Sequence, residues 1–161
     1  METPKWHRDV YKKLSAAGWY PNRNVWQQLQ LPQSFKIHPA AKAILTEFGN
    51  LQFGDISETT KFDPRSGEEV AAEIHRFESV IGRSLYPLGY LEVQDRMYLL
   101  VDEKGAIYEL DVDLWPVASS FDTVLDYLVR GTGKHDVMKA DLEPLGLFGK
   151  KWRLDERSSG G

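Results

Sequence analysis

Residues 38–53 read HPAAKAILTEFGNLQF, and their pattern decides the fold class. Pro39 suits the first turn of a helix, where its missing N–H costs nothing. Ala41, Ile44, Leu45 and Phe48 then recur at i, i+3, i+4 and i+7, which makes one apolar face. Gly49 is read as the left-handed residue that stops the helix, with Asn50 behind it as another residue that tolerates that conformation. Leu51 and Phe53 flank Gln52 in the alternation of a strand. The expectation is a helix that stops hard, feeds a strand and docks on a sheet.

On the N-terminal side, residues 4–17 predict a helix with Thr3 as N-cap, Pro4 in the first turn and Gly18 as the stop. Trp6, Val10, Leu14 and Ala17 share one side of it. Residues 19–23 form a turn, because Pro21 biases Tyr20 away from helix. Residues 25–31 are a short helix or extended chain, ended by Pro32. Trp19 and Trp26 are read as core or lid aromatics rather than a ligand cage.

On the C-terminal side, residues 56–62 read as a weak strand closed by Asp63-Pro64. Ser66 with Glu69 matches a capping box. The helix behind it carries Val70, Ile74, Phe77 and Ile81 and stops at Gly82. Residues 85–89, LYPLG, are extended but broken by proline, so they belong at an edge or a bend. Residues 97–101 and 106–112 flank Asp102-Glu103-Lys104-Gly105, which marks a hairpin. Its second strand alternates strictly. Tyr108, Leu110, Val112 and Leu114 point one way, and Glu109, Asp111 and Asp113 the other. Pairing Val101 with Ala106 sets Tyr98 opposite Glu109 and Arg96 opposite Asp111, unless a bulge at Gly105 shifts the register. Ser119 or Ser120 caps a last clear helix with Phe121, Val124, Leu125 and Leu128 on its face and Gly131 as its stop. Residues 132–154 are too apolar for a free tail and are expected to pack back as a C-terminal extension. Residues 155–161 are expected to be disordered.

The chain has 161 residues, a net charge of −4 and no cysteine. One domain over residues 1–154 is expected, with neither disulfides nor thiolate metal sites. The N-terminus has no signal-peptide core, and no stretch approaches the roughly 20 apolar residues of a membrane helix. A cytoplasmic protein without a membrane partner is the expectation. The mild acidity argues against direct nucleic-acid binding.

Candidate chemistry is sparse. His75 and Glu78 stand one turn apart, but a metal site needs three or four ligands, so no metal is expected. Ser119 and Ser120 lie in no nucleophile elbow. Residues 131–134, GTGK, follow a helix rather than open one, so they are read as a turn and not a phosphate loop. No carboxylate is expected to be buried, and neither catalysis nor a cofactor is expected. Charge is more informative. Between residues 85 and 131, nine carboxylates stand against Arg96, Lys104 and Arg130, a local charge of −6. Such a face is either simply solvated or a docking surface for a basic partner. Glu92, Glu109, Asp111 and Asp113 are the candidate partner-binding residues. Trp115 is either an aromatic anchor at their margin or buried under the last helix.

The pieces also keep an order. Ala17-Gly18-Trp19 has Arg23 downstream, and His38-Pro39-Ala40-Ala41 leads to the run from Leu45 to Leu51. Phe62-Asp63-Pro64, Ile81-Gly82 and Leu85-Tyr86-Pro87-Leu88-Gly89 follow. Leu99-Leu100-Val101-Asp102 comes next, with Gly105, Ile107 and Tyr108, then Arg130-Gly131. This order resembles the SUKH superfamily, and within it the third group of bacterial immunity proteins. The usual pattern has a second glycine where this chain has Asn50. The resemblance implies an α+β fold, a mixed or antiparallel sheet with a central hairpin wrapped by about four helices. It also implies a non-enzymatic cytoplasmic protein that neutralises a cognate toxin domain of a polymorphic toxin system, often a nuclease or nucleic-acid deaminase. A regulatory or scaffold module of the same fold is the alternative. A third reading is an enzyme or small-molecule binder with a pocket lined by Trp19, Trp26 and Tyr86.

Overall fold

Short returns between apolar strands make a meander, and a meander makes an antiparallel sheet. The computed structural model describes residues 5–54, 57–131 and 133–154. It contains one six-stranded sheet in sequential order: β1 (Gln52–Gly54), β2 (Thr59–Lys61), β3 (Leu85–Glu92), β4 (Arg96–Asp102), β5 (Ile107–Leu110) and β6 (Leu114–Ala118). Every neighbouring pair is antiparallel. Among the described residues five α-helices accompany it: α1 (Arg8–Ala16), α2 (Pro39–Phe48), α3 (Ala71–Ile81), α4 (Phe121–Arg130) and α5 (Lys134–Leu142). The fold is α+β, with one more helix than the sequence suggested.

Side-chain alternation divides the interior into two cores. Leu99, Val101, Ile107 and Val117 face α1, α2 and α4, where they meet Val10, Leu14, Leu45, Phe48 and Val124. Tyr98, Leu100, Tyr108 and Leu110 face the other way and pack with Ile74 and Phe77 of α3. A sheet buried on both faces needs an unbroken apolar run in its middle strand, and YLLV at 98–101 is that run.

α2 forms as read, but its two ends hold surprises. His38 is the N-cap, its Nδ1 accepting the Ala41 N–H at 3.2 Å. Gly49 is not left-handed: its φ is −53°, while Asn50 has φ 68°. Gly49 is needed for room instead, since a Cβ there would collide with the Leu29 side chain and the Leu45 carbonyl. α1 starts at Arg8 under a His7 cap, not at Thr3; Thr3 and Pro4 lie outside the described residues. Residues 25–31 hold a single 3-10 turn, Trp26–Gln28.

The capping box is absent. Pro64–Val70 is a 3-10 helix leading into α3, and the Ser66 hydroxyl donates to the Asp63 carbonyl. The weak strand shrinks to β2, with Ile56 outside the described residues. β3 is interior to the sheet rather than an edge, and it absorbs Pro87 through a register shift between Pro87 and Gly89. At the central hairpin Val101 pairs with Ile107 and Tyr98 with Leu110, one residue away from the simplest register. The supposed long strand over 106–114 is two strands. β5 ends at Leu110 because Asp111 turns the chain, its side chain accepting the Asp113 N–H at 2.8 Å. Val112 consequently sits 86% exposed.

Residues 133–154 pack back. Leu142 and Leu147 are buried, and Trp152 exchanges two backbone hydrogen bonds with Leu114 on the outer edge of β6. The expected disordered tail, 155–161, lies outside the described residues.

Candidate docking surface

The five partner-binding candidates do not form one stripe. Glu109 is only 6% exposed; it lies opposite Trp115 and takes an ion pair from Lys134 Nζ at 3.3 Å. Asp113 is paired with Lys151 and Arg153 from the C-terminal segment, at 3.6 and 3.7 Å. Trp115 is neither buried nor free: it is 38% exposed with Lys151 Nζ 5.2 Å above its ring. Of the four carboxylates only Asp111 and Glu92 remain exposed, Glu92 with Arg96 at 3.3 Å. The single-face argument failed because three residues of turn look, in a sequence, like three more residues of strand.

Topology gathers a different acidic set. Thr59 pairs with Glu92, Glu92 with Arg96, and Tyr98 with Leu110. The turns β1–β2, β3–β4 and β5–β6 therefore all emerge at one end of the sheet. Among the described residues their exposed carboxylates are Glu58, Glu92, Asp95 and Asp111, interleaved with Val93 at 53% and Val112 at 86% exposure. Arg96 is a cation at this end. It stacks 3.8 Å from the Tyr90 ring centroid and reaches Glu69, which also accepts the Tyr98 hydroxyl. Burial first, and then the bond to Glu69, push the Tyr98 phenol up to about 12.

Buried acids do occur, against expectation. Asp102 is fully enclosed and accepts from Arg83 Nη1 and the Tyr108 hydroxyl, both at 2.8 Å, and from the backbone N–H groups of Lys104 and Ala106. The hydrogen bond to Asp102 holds the Arg83 guanidinium above its ordinary range. Four donors on one carboxylate leave it no lone pair for a substrate, so Asp102 staples the β4–β5 turn to the end of α3. No spacing rule finds such a residue in a sequence; it looked like one more turn aspartate.

The remaining candidates resolve as structure. His75 Nδ1 lies 2.7 Å from Glu78, whose other oxygen accepts the Leu85 N–H. Among the described residues no group of three or more His, Asp or Glu is placed to hold a metal. Gly133-Lys134 does open a helix, α5, which corrects the sequence reading, but the Lys134 ammonium is taken up by Glu109 and the Tyr127 ring. The supposed aromatic pocket is not formed. Tyr86 is core at 1% exposure, Trp26 lies under Lys42, and Trp19 packs with Trp6 and Tyr11.

The fold is thus a single antiparallel six-stranded sheet packed by helices on both faces. The SUKH-3 immunity protein family model matches residues 6–131, and the chain belongs to that family. No curated protein and no solved structure matches it. Membership carries an immunity function, and with it the binding of a cognate toxin. The match stops at Gly131, so α5 and the strand-like contact of Trp152 lie outside it. No helix among the described residues is long and apolar enough to cross a membrane.

Proposed function

We propose that this chain is a cytoplasmic bacterial immunity protein that neutralises its toxin domain by stoichiometric contact, without catalysis. The toxin acts on nucleic acid, as a nuclease or deaminase of a polymorphic toxin system. The family match over residues 6–131 carries this reading. The sheet end supports its second half. Proteins that act on nucleic acid present basic grooves to phosphate, and Glu58, Glu92, Asp95 and Asp111 offer such a groove complementary charge. Exposed Val93 and Val112 add apolar contact between the charges.

Glu109 and Asp113 act on this surface only from behind, because their charges are already met by Lys134 and by Lys151 and Arg153. Trp115 flanks it. The test is co-expression with the toxin domain encoded beside this chain. The wild type restores growth; Glu92→Lys combined with Asp111→Lys, both at exposed positions, slows association at least tenfold and weakens its salt dependence. Failure of the wild type to restore growth removes the immunity reading. Unchanged association of the double variant removes the sheet end as the docking face.

A further inference from the structure

Trp6, Tyr11 and Trp19 pack ring to ring, with centroids 5.0 to 5.9 Å apart. The Trp19 indole N–H donates to Glu47 Oε2 at 2.9 Å, and Arg23 Nη1 donates to the Glu47 backbone carbonyl at 2.6 Å. These two bonds hold the 19–23 turn against α2. Between that turn, α1 and α2 lies a groove of about 760 Å3. Tyr11 and Trp19 are half-buried in its wall, and Tyr20 stands 56% exposed beside them.

The charges of the groove are unbalanced. Lys5, Arg8 and Arg23 line it against one carboxylate, Glu47. Lys5 reaches Asp122 only at 3.9 Å. Arg23 is partly buried and has no direct ion pair among the described residues; burial pushes its guanidinium below the ordinary value, against an opposing pull from Tyr20 and the nearby Glu47 carboxylate. Arg8 is exposed and likewise has no ion pair among them. A partly buried cation with no carboxylate in direct contact is a ready partner for one. Tryptophan, tyrosine and arginine around one concavity are also the residues that carry binding energy at protein interfaces.

We propose that this groove receives an acidic segment of a protein partner, with its carboxylates on Arg8 and Arg23 and an apolar side chain against Tyr11 and Trp19. A protein segment is favoured over a nucleic acid because Glu47 lines the same groove, and because a chain of net charge −4 repels a long polyanion. The proposal does not depend on the toxin reading, which uses the acidic sheet end.

The test titrates the full 15N-labelled chain with a blocked hexapeptide of sequence EDLLDE, alongside KRLLRK and an octathymidylate. EDLLDE is expected to shift the Trp19 indole and Arg23 resonances saturably, and to bind more weakly as salt rises. Arg8→Glu is expected to weaken it at least fivefold without lowering the melting temperature, because a glutamate suits the first turn of a helix. The proposal is overturned by an absent or unsaturable shift, by equal binding of KRLLRK, by tighter binding of the oligonucleotide, or by unchanged affinity of Arg8→Glu.

Discussion

Gly49 and Asn50 divide two tasks at the end of α2. Gly49 supplies space beneath Leu29, and Asn50 takes the left-handed turn toward Leu51. Gly49→Ala is therefore expected to cost about 1 to 3 kcal/mol through overpacking. Asn50→Gly should stay within about 1 kcal/mol of wild type, since glycine adopts that conformation freely. Urea denaturation of both variants checks this; a neutral Gly49→Ala would mean that Leu29 moves aside. A second residue-scale case is Glu68, which accepts both the N–H and the hydroxyl of Ser34. Those bonds, the backbone one first, hold its carboxyl below the usual 4.5. A folded pKa below the unfolded one contributes stability above about pH 4.5 and loses it as pH falls through the folded value. The protection factor of the Ser34 amide should fall there in wild type, and Glu68→Gln should show the low protection already at pH 7. Equal protection at neutral pH would mean that the loop is held by something else.

The hairpin β4–β5 depends on Asp102. Removing a buried carboxylate strands the donors aimed at it, so Asp102→Ala is expected to cost about 3 kcal/mol or more. Tyr108→Phe removes one donor of four and should cost about 1 kcal/mol. Thermal denaturation of the pair decides; equal losses would mean that the Tyr108 hydroxyl, not the turn, carries the effect. The same element shows what a sequence can and cannot say. YLLV at 98–101 and the turn DEKG at 102–105 were legible because apolar runs and turn residues are local signals. The register was not, because it hangs on which backbone groups Asp102 accepts. The break at Asp111 was hidden by a hydrophobic alternation that runs on through Val112 into Leu114. α5 was missed because Lys134 to Leu142 buries only one residue and shows no apolar stripe.

At the scale of the whole molecule, one edge of the sheet is covered and one end is left exposed. The outer edge of β6 carries Pro116 and is met by Trp152, so the segment beyond the family match closes it. At the sheet end Glu92, Val93, Asp95, Asp111 and Val112 stay exposed. The α+β class and the family were legible from the order of helix stops and strand starts along the chain. The proposed docking surface was not, because it is assembled from three turns far apart in sequence. The central claim is stoichiometric inhibition, and one titration tests it most directly. The purified toxin domain is held at a fixed concentration well above the dissociation constant, and its activity is followed as this chain is added. Activity should fall in a straight line and reach zero at one equivalent. A toxin that stays active beyond one equivalent, or is silenced by catalytic traces, would contradict the account.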